Sequence, residues 1–273
     1  MDGLTGARTA PAARPEPWGV RWRPVSDVRL RLFCLPHTGG GAVAYRTWAS
    51  RLPADVEVVA VRLPGREARF RERPFDRIES LVPALVQGLA PLMDRPFAWF
   101  GHSMGALLAY EACRAIRDAG GPEPARLLVS GRRAPHLPDR YRPVHAAPTA
   151  DLVARLVELN GTPREVLDDA SVLSAFLPML RADFAVSETY RWSPSPPLNC
   201  PISVFGGSAD PMATAEELHA WDRHTTTGCT VRMFDGDHFY LHAAPERVLP
   251  AIGADLRHAL ARPDHRNTRG AAR

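Results

Sequence analysis

The stretch Ala98-Trp99-Phe100-Gly101-His102-Ser103-Met104-Gly105 joins a short apolar run to the helical pattern Met104–Ala119, with a serine between two glycines at the junction. A G-x-S-x-G pattern after a strand and before a helix is the context in which a serine is held out on a tight elbow. Side chains at 101 and 105 would collide with the adjoining strand and helix, so both positions call for glycine. The helix then turns its free N–H groups toward negative charge developing beside the serine. His102, on the same turn, is directed away from Ser103 and is not expected to be its base.

Working outward, apolar runs at Leu30–Leu35, Val56–Val61, Ala98–Phe100, Leu127–Ser130, Ile202–Phe205 and Val231–Phe234 read as buried strands. Helical patterns lie between or beyond them at Leu81–Met93, Met104–Ala119, Ala215–Thr225 and Pro245–Leu260. That alternation predicts an α/β fold, a mostly parallel central sheet flanked by helices. From about 135 to 197 no strand signal occurs, but Leu152, Leu156, Leu159, Leu173, Phe176, Leu177, Leu180 and Phe184 recur at helical spacing. A helical insertion near strand C-terminal ends is expected to be a lid, with a simple packing role as the alternative.

The chain of 273 residues, 45% hydrophobic, suits one domain, expected over 21–260. Residues 1–20 and 261–273 are expected to be disordered tails. No apolar run suits a signal peptide or approaches a membrane span, so no membrane association and a cytoplasmic location are expected. All 34 basic residues are arginine, net charge is +4 and the sequence pI is about 9.2. The arginines are scattered, which argues against nucleic acid and leaves a small acidic protein as the favoured charged partner. Cys34, Cys113, Cys200 and Cys229 lack C-x-x-C or Cys/His metal spacing and read as buried free thiols, with no metal and no cofactor expected.

A serine nucleophile on this architecture takes its acid and then its base from later strand ends. Asp210 follows the strand Ile202–Phe205 in Gly206-Gly207-Ser208-Ala209-Asp210-Pro211, and His238 follows Val231–Phe234 in Asp235-Gly236-Asp237-His238-Phe239. His238 can accept the Ser103 proton while a carboxylate fixes its tautomer. Asp235 and Asp237 are rival acids that read as turn-formers beside Gly236, and Asp210, on a separate strand end, is the acid expected. Thr214 to Glu217 has the pattern of a capping box that anchors the loop after Asp210. His37 opens the turn Pro36-His37-Thr38-Gly39-Gly40-Gly41, which matches neither phosphate-loop pattern. An oxyanion hole fits it better, formed by the N–H groups of Met104 and Thr38.

Seven stretches go beyond a generic hydrolase: Leu35-Pro-His-Thr-Gly-Gly-Gly41, Leu63-Pro-Gly-Arg-Glu67, Gly101-His-Ser-Met-Gly105, Ser130-Gly-Arg-Arg-Ala-Pro135, Leu180-Arg-Ala-Asp-Phe184, Gly206-Gly-Ser-Ala-Asp-Pro211 and Gly236-Asp-His-Phe-Tyr-Leu241. In this order, from about 30 to 258, the chain resembles the type II thioesterases, the stand-alone editing enzymes of modular polyketide and nonribosomal peptide synthesis. The resemblance implies an α/β-hydrolase fold with a mobile helical lid and hydrolysis of acyl groups from the phosphopantetheine arm of an acyl or peptidyl carrier protein. It implies Ser103 as nucleophile, Asp210 as acid, His238 as base, and Thr38 and Met104 as oxyanion donors, in a monomer. Position 38 is commonly Ala in such enzymes, but the Thr38 backbone N–H would still serve. Phe176 and Met179 are expected to line the acyl pocket. The alternatives are a small-molecule carboxylesterase or lipase, or an acyltransferase, on the same fold. A binding module that had kept only the fold would be expected to lack a triad member, and all three are present.

Overall fold

The computed structural model describes residues 18–162 and 164–261. Seven strands, β1 (Gly19–Val20), β2 (Leu30–Leu35), β3 (Val56–Val61), β4 (Phe97–His102), β5 (Arg126–Ser130), β6 (Ile202–Gly207) and β7 (Cys229–Phe234), form one sheet in the order β1-β3-β2-β4-β5-β6-β7. All neighbours pair parallel except β1 and β3. The helices are α1 (Ile78–Leu89), α2 (Met104–Asp118), α3 (Thr149–Leu159), α4 (Arg164–Asp168), α5 (Ala170–Glu188), α6 (Ala215–His219), α7 (Tyr240–Ala243) and α8 (Pro245–Ala261). This is the α/β-hydrolase architecture.

Side-chain alternation along the strands builds two cores. Phe33, Leu35, Val59, Val61, Phe97 and Trp99 face α1 and α2, while Leu32, Cys34, Val58, Ala60, Ala98 and Phe100 face Tyr45, Trp48 and α8. Every residue of β2 through β6 is buried, which explains why these strands read as continuous apolar runs. A third cluster, Val144, Leu152, Leu156, Met179, Leu180 and Phe184, is the core of the helical insertion that follows β5.

Several boundaries differ from the sequence reading. Trp18 to Val20, assigned to the N-terminal tail, belong to the sheet: Gly19 pairs with Val61, and Arg62 N donates to Trp18 O at 2.8 Å. Trp18 packs on α1, where a Cβ on Gly88 would come within 2.0 Å of its ring, and the Arg69 guanidinium lies 4.2 Å from that ring. The rest of the expected tails, 1–17 and 262–273, lies outside the described residues. The helix expected over Leu81–Met93 starts at Ile78 and tightens to a 3₁₀ turn at Ala90–Leu92, where Pro91 has no N–H for an α-helical bond. The helix expected over Ala215–Thr225 likewise ends as α6 and continues as a 3₁₀ turn, Ala220–His224. Helix α5 is long and apolar enough to cross a membrane by length and composition, with mean hydropathy 1.2, against the expectation that no segment approaches a span. Its three charged residues are engaged within the fold: Arg181 donates to His145 O, Asp183 pairs with Arg66, and Glu188 meets the His145 ring. Cys34, Cys113 and Cys200 are buried free thiols as read, whereas Cys229, on the edge strand β7, is only half-buried.

Candidate active site

Ser103 occupies the one-residue junction of β4 and α2 with φ 54° and ψ −114°, left-handed backbone for a residue with a side chain. Such strain persists only where the surroundings impose it. A Cβ on Gly101 would lie 2.0 Å from Gly105 O, and one on Gly105 would lie 2.3 Å from Leu35 O, so the elbow closes only with glycine at both places. Ser103 N donates to Ser130 O at 2.8 Å, fastening the elbow to the end of β5. Met104 is the first residue of α2, where a helix leaves its N–H groups without intrahelical acceptors.

Asp210 lies beyond β6 and His238 beyond β7, and the two are joined by His238 Nδ1 donating to Asp210 Oδ2 at 2.9 Å. Their side chains are 3% and 0% exposed. Asp210 Oδ1 accepts from Met212 N at 2.8 Å, so each carboxylate oxygen is committed and its plane is fixed. A carboxylate on Nδ1 selects the tautomer with the lone pair on Nε2. The two strand ends approach closely because position 207 is glycine: a Cβ there would fall 2.3 Å from Asp237 O. Asp235 is an exposed partner of Arg247, and Asp237 accepts from Phe239 N at 2.8 Å and from Asn160 Nδ2 at 3.2 Å. Neither reaches the His238 ring by a hydrogen bond among the described residues. The capping box is present, with Glu217 N donating to Thr214 Oγ1 at 3.3 Å and Thr214 N to Glu217 Oε2 at 3.0 Å.

His102 is fully buried, its ring 4.8 Å from that of His238 and its Nδ1 2.9 Å from Ser130 Oγ, which is itself 2.6 Å from Tyr240 Oη. Burial, followed by the nearby His238, holds its pKa well below the usual imidazole value, so it packs behind the site as a neutral ring. His37, whose ring is 5.0 Å from Phe239 and 5.8 Å from His242, is pushed down to about 3 by burial and then by His242. It opens a turn closed by Gly40 N donating to His37 O at 2.9 Å, with Gly39 at φ 75°.

Ser103, His238, Met212 and Thr38 share the wall of one cavity of about 230 Å³. Its far side is the helical insertion: Leu156, Leu159, Phe176, Met179, Leu180 and Phe184 supply an apolar lining, including both residues expected there. Sequence reasoning missed the buried pair Arg66–Asp183, which ties α5 to the turn carrying Thr38. Both residues stand in stretches that carry the resemblance, but their pairing across the chain has no local signal. Among the described residues no cluster of three His, Cys, Asp or Glu could hold a metal ion.

The thioesterase-domain family profile matches residues 30–256. This chain belongs to the thioesterase family. It is 40% identical over 244 residues to the gramicidin S biosynthesis protein GrsT of Aneurinibacillus migulanus, covering 89% of this chain and 95% of that one. Among solved structures it is similar to BorB, the type II thioesterase from the borrelidin biosynthetic cluster, with a TM-score of 0.82 at 39% identity over 90% of this chain and 100% of that one. RedJ, the thioesterase of the prodiginine pathway in Streptomyces coelicolor, gives 0.80 at 39% identity over 92% and 97%. Within its family the chain groups with the type II thioesterases of polyketide and nonribosomal peptide clusters.

Proposed function

We propose that this thioesterase frees acyl groups from the phosphopantetheine arm of an acyl or peptidyl carrier protein, with Ser103 as nucleophile, His238 as base and Asp210 as the orienting acid. The observation that carries the roles is the hydrogen bond from His238 Nδ1 to Asp210 Oδ2 at 2.9 Å, made behind a cavity whose wall His238 shares with Ser103 on its elbow. Ser103 Oγ adds to the thioester carbonyl carbon as His238 Nε2 takes its proton, and the oxyanion faces the N–H groups of Thr38 and Met104. Collapse expels the thiol, which recovers the proton from His238. Water then repeats the sequence on the acyl-enzyme and frees the acid. Removing aberrant or stalled acyl units is the use that suits such hydrolysis in a modular synthase.

The insertion over 135–197 acts as a lid whose apolar face receives the acyl chain. All these groups come from one chain, which suits a monomer, and the free thiols suit a reducing cytoplasm. Ser103→Ala should lower acyl-carrier hydrolysis by several orders of magnitude with folding intact. A variant keeping more than about a tenth of wild-type rate would end the serine mechanism. Carrier recognition is checked separately by a salt series. kcat/KM for the acyl-carrier should fall with salt while that for a neutral acyl-thiol mimic stays level, since steering by the basic chain is screened within about 10 Å at 0.1 M. Equal efficiency and equal salt response on the two would favour the free esterase.

A further inference from the structure

The helical insertion and the turn beside Ser103 meet at one buried ion pair. Asp183, on α5, accepts from Arg66 Nη2 at 2.6 Å through Oδ1 and from Arg66 Nη1 at 2.9 Å through Oδ2. The side chains are 5% and 3% exposed. Each partner also holds the turn itself: Asp183 Oδ2 accepts from Gly39 N at 2.8 Å, and Arg66 Nη1 donates to Gly40 O at 2.8 Å. A pair that served only to pin α5 would need neither contact.

The turn is sensitive to this hold. With Gly40 N on His37 O and positive φ at Gly39, it has the dihedral requirement of a type II turn, which differs from type I by a flip of the central peptide, here Thr38–Gly39. Asp183 takes the N–H of that peptide and so selects one flip, while Arg66 on Gly40 O holds the residue whose N–H anchors the His37 carbonyl, so the pair together fixes the turn on both sides of Thr38. The His37 carbonyl, bonded to Gly40 N, faces into the turn. Its own peptide is trans, so the Thr38 N–H points the opposite way, out of the turn. Leu180, one turn of α5 before Asp183, packs where a Cβ on Gly39 would come within 2.8 Å of its Cδ2.

We propose that Asp183 is a positioning residue for hydrolysis at Ser103: together with Arg66 it fixes the 37–40 turn, so that the Thr38 N–H is placed for the oxyanion only while α5 is docked. The inference rests on the reading of Ser103 as nucleophile and Thr38 as oxyanion donor. It couples the two halves of the cavity, because an insertion displaced to admit a substrate would also release the turn.

Asp183→Asn is the first test. Three N–H groups converge on the Asp183 carboxylate, and a carboxamide replaces one acceptor oxygen with a donor, so at least one of the three is turned away. With the acyl thioester of N-acetylcysteamine as substrate, kcat should fall about 10- to 100-fold with KM within about twofold, less than the loss of a whole oxyanion donor. The discriminating readout is inhibitor affinity. A trifluoromethyl ketone analogue, to which Ser103 Oγ adds to give a tetrahedral oxyanion as the serine proton passes to His238, should lose affinity by the same factor as kcat/KM. A thioether analogue without the carbonyl should bind as before. Should Asp183→Asn fail to fold, the paired Arg66→Met with Asp183→Leu removes both charges at similar volume and is expected to fold, with the same split between ketone and thioether. Wild-type kcat in either variant, or equal losses for ketone and thioether, would overturn the proposal. Ser103→Ala is run alongside: if it retains activity the underlying serine reading fails, whereas an inactive Ser103→Ala beside a fully active Asp183→Asn fails the positioning role alone.

Discussion

Replacing Gly105 by alanine opposes two effects of known size. Gly105 is the second residue of α2, and glycine in a helix interior is about 1 kcal/mol less favourable than alanine, so propensity alone predicts a more stable protein. The structure opposes this, because the new Cβ would lie 2.3 Å from Leu35 O, 2.7 Å from Leu35 C and 2.7 Å from Pro36 O. These are backbone atoms at the end of β2 and cannot rotate away, so α2 or the 36–38 segment must shift by roughly 1 Å for the 2.3 Å approach to open to ordinary contact at 3.4 Å. Overpacking of this kind costs about 1–3 kcal/mol, and here it acts on the two segments that carry the Met104 and Thr38 amides. We therefore expect Gly105→Ala to lose up to about 2 kcal/mol net, a drop of as much as roughly 8 °C in Tm, together with a fall in kcat of about a hundredfold as the two amides proposed as oxyanion donors are displaced. Gly253→Ala, in α8, is the internal control: its Cβ would meet nothing nearer than Pro53 Cδ at 3.4 Å, so the helix term should prevail and raise stability by about 0.5–1 kcal/mol with activity unchanged. Urea denaturation and hydrolysis of one acyl-thiol mimic decide it. A Gly105→Ala enzyme as stable and active as wild type would refute the steric account of the elbow.

Two further outcomes follow from the same geometry. Asp210→Asn should cost about 10³- to 10⁴-fold in kcat, because a carboxamide facing His238 Nδ1 no longer enforces the tautomer with Nε2 free, whereas Asp235→Asn and Asp237→Asn should stay near wild type; steady-state kinetics check the ranking, and a worst effect at Asp237 would reassign the acid. Acid should destabilise the fold well above the carboxylate range. His37 and His224 are pushed down to about 3 and about 4 from 6.5, burial being the first cause for both, so below pH 6.5 the unfolded chain takes up protons that the folded chain refuses. Each ring then costs about 1.4 kcal/mol per pH unit, giving a few kcal/mol between pH 6.5 and 4.5, and urea midpoints that hold level or rise over that range would contradict it.

The parts of this molecule that were legible in the sequence are those whose causes are local. The elbow is signalled within five residues, through the Gly101 clash with Gly105 O, although the atom that requires glycine at 105 is Leu35 O on β2, and the parallel strands are apolar runs because both of their faces are covered. The pairing of Asp210 with His238 could be anticipated because the fold places such groups at strand ends and because Gly236 marks Asp235 and Asp237 as turn-formers. The edge strand Gly19–Val20 was not legible, since two residues have no period; what holds it is Trp18 against Gly88, a contact between distant segments.

The pair Arg66–Asp183, separated by 117 positions, marks where such reading stops. Leu180, Asp183 and Phe184 share one face of α5 by their spacing, so a carboxylate stands in the stripe that the apolar residues mark as buried. An unpaired charge there would cost several kcal/mol, and this alone requires a cation opposite position 183. The requirement is visible in the sequence, but its solution is not, because 34 arginines are candidates and helical periodicity reports which face is buried without reporting what faces it. Only the path of the chain after β3, which brings Arg66 back beneath the 37–40 turn, selects the partner. The same path makes the pair more than a fastening, because the turn it grips is the one that bears the Thr38 amide.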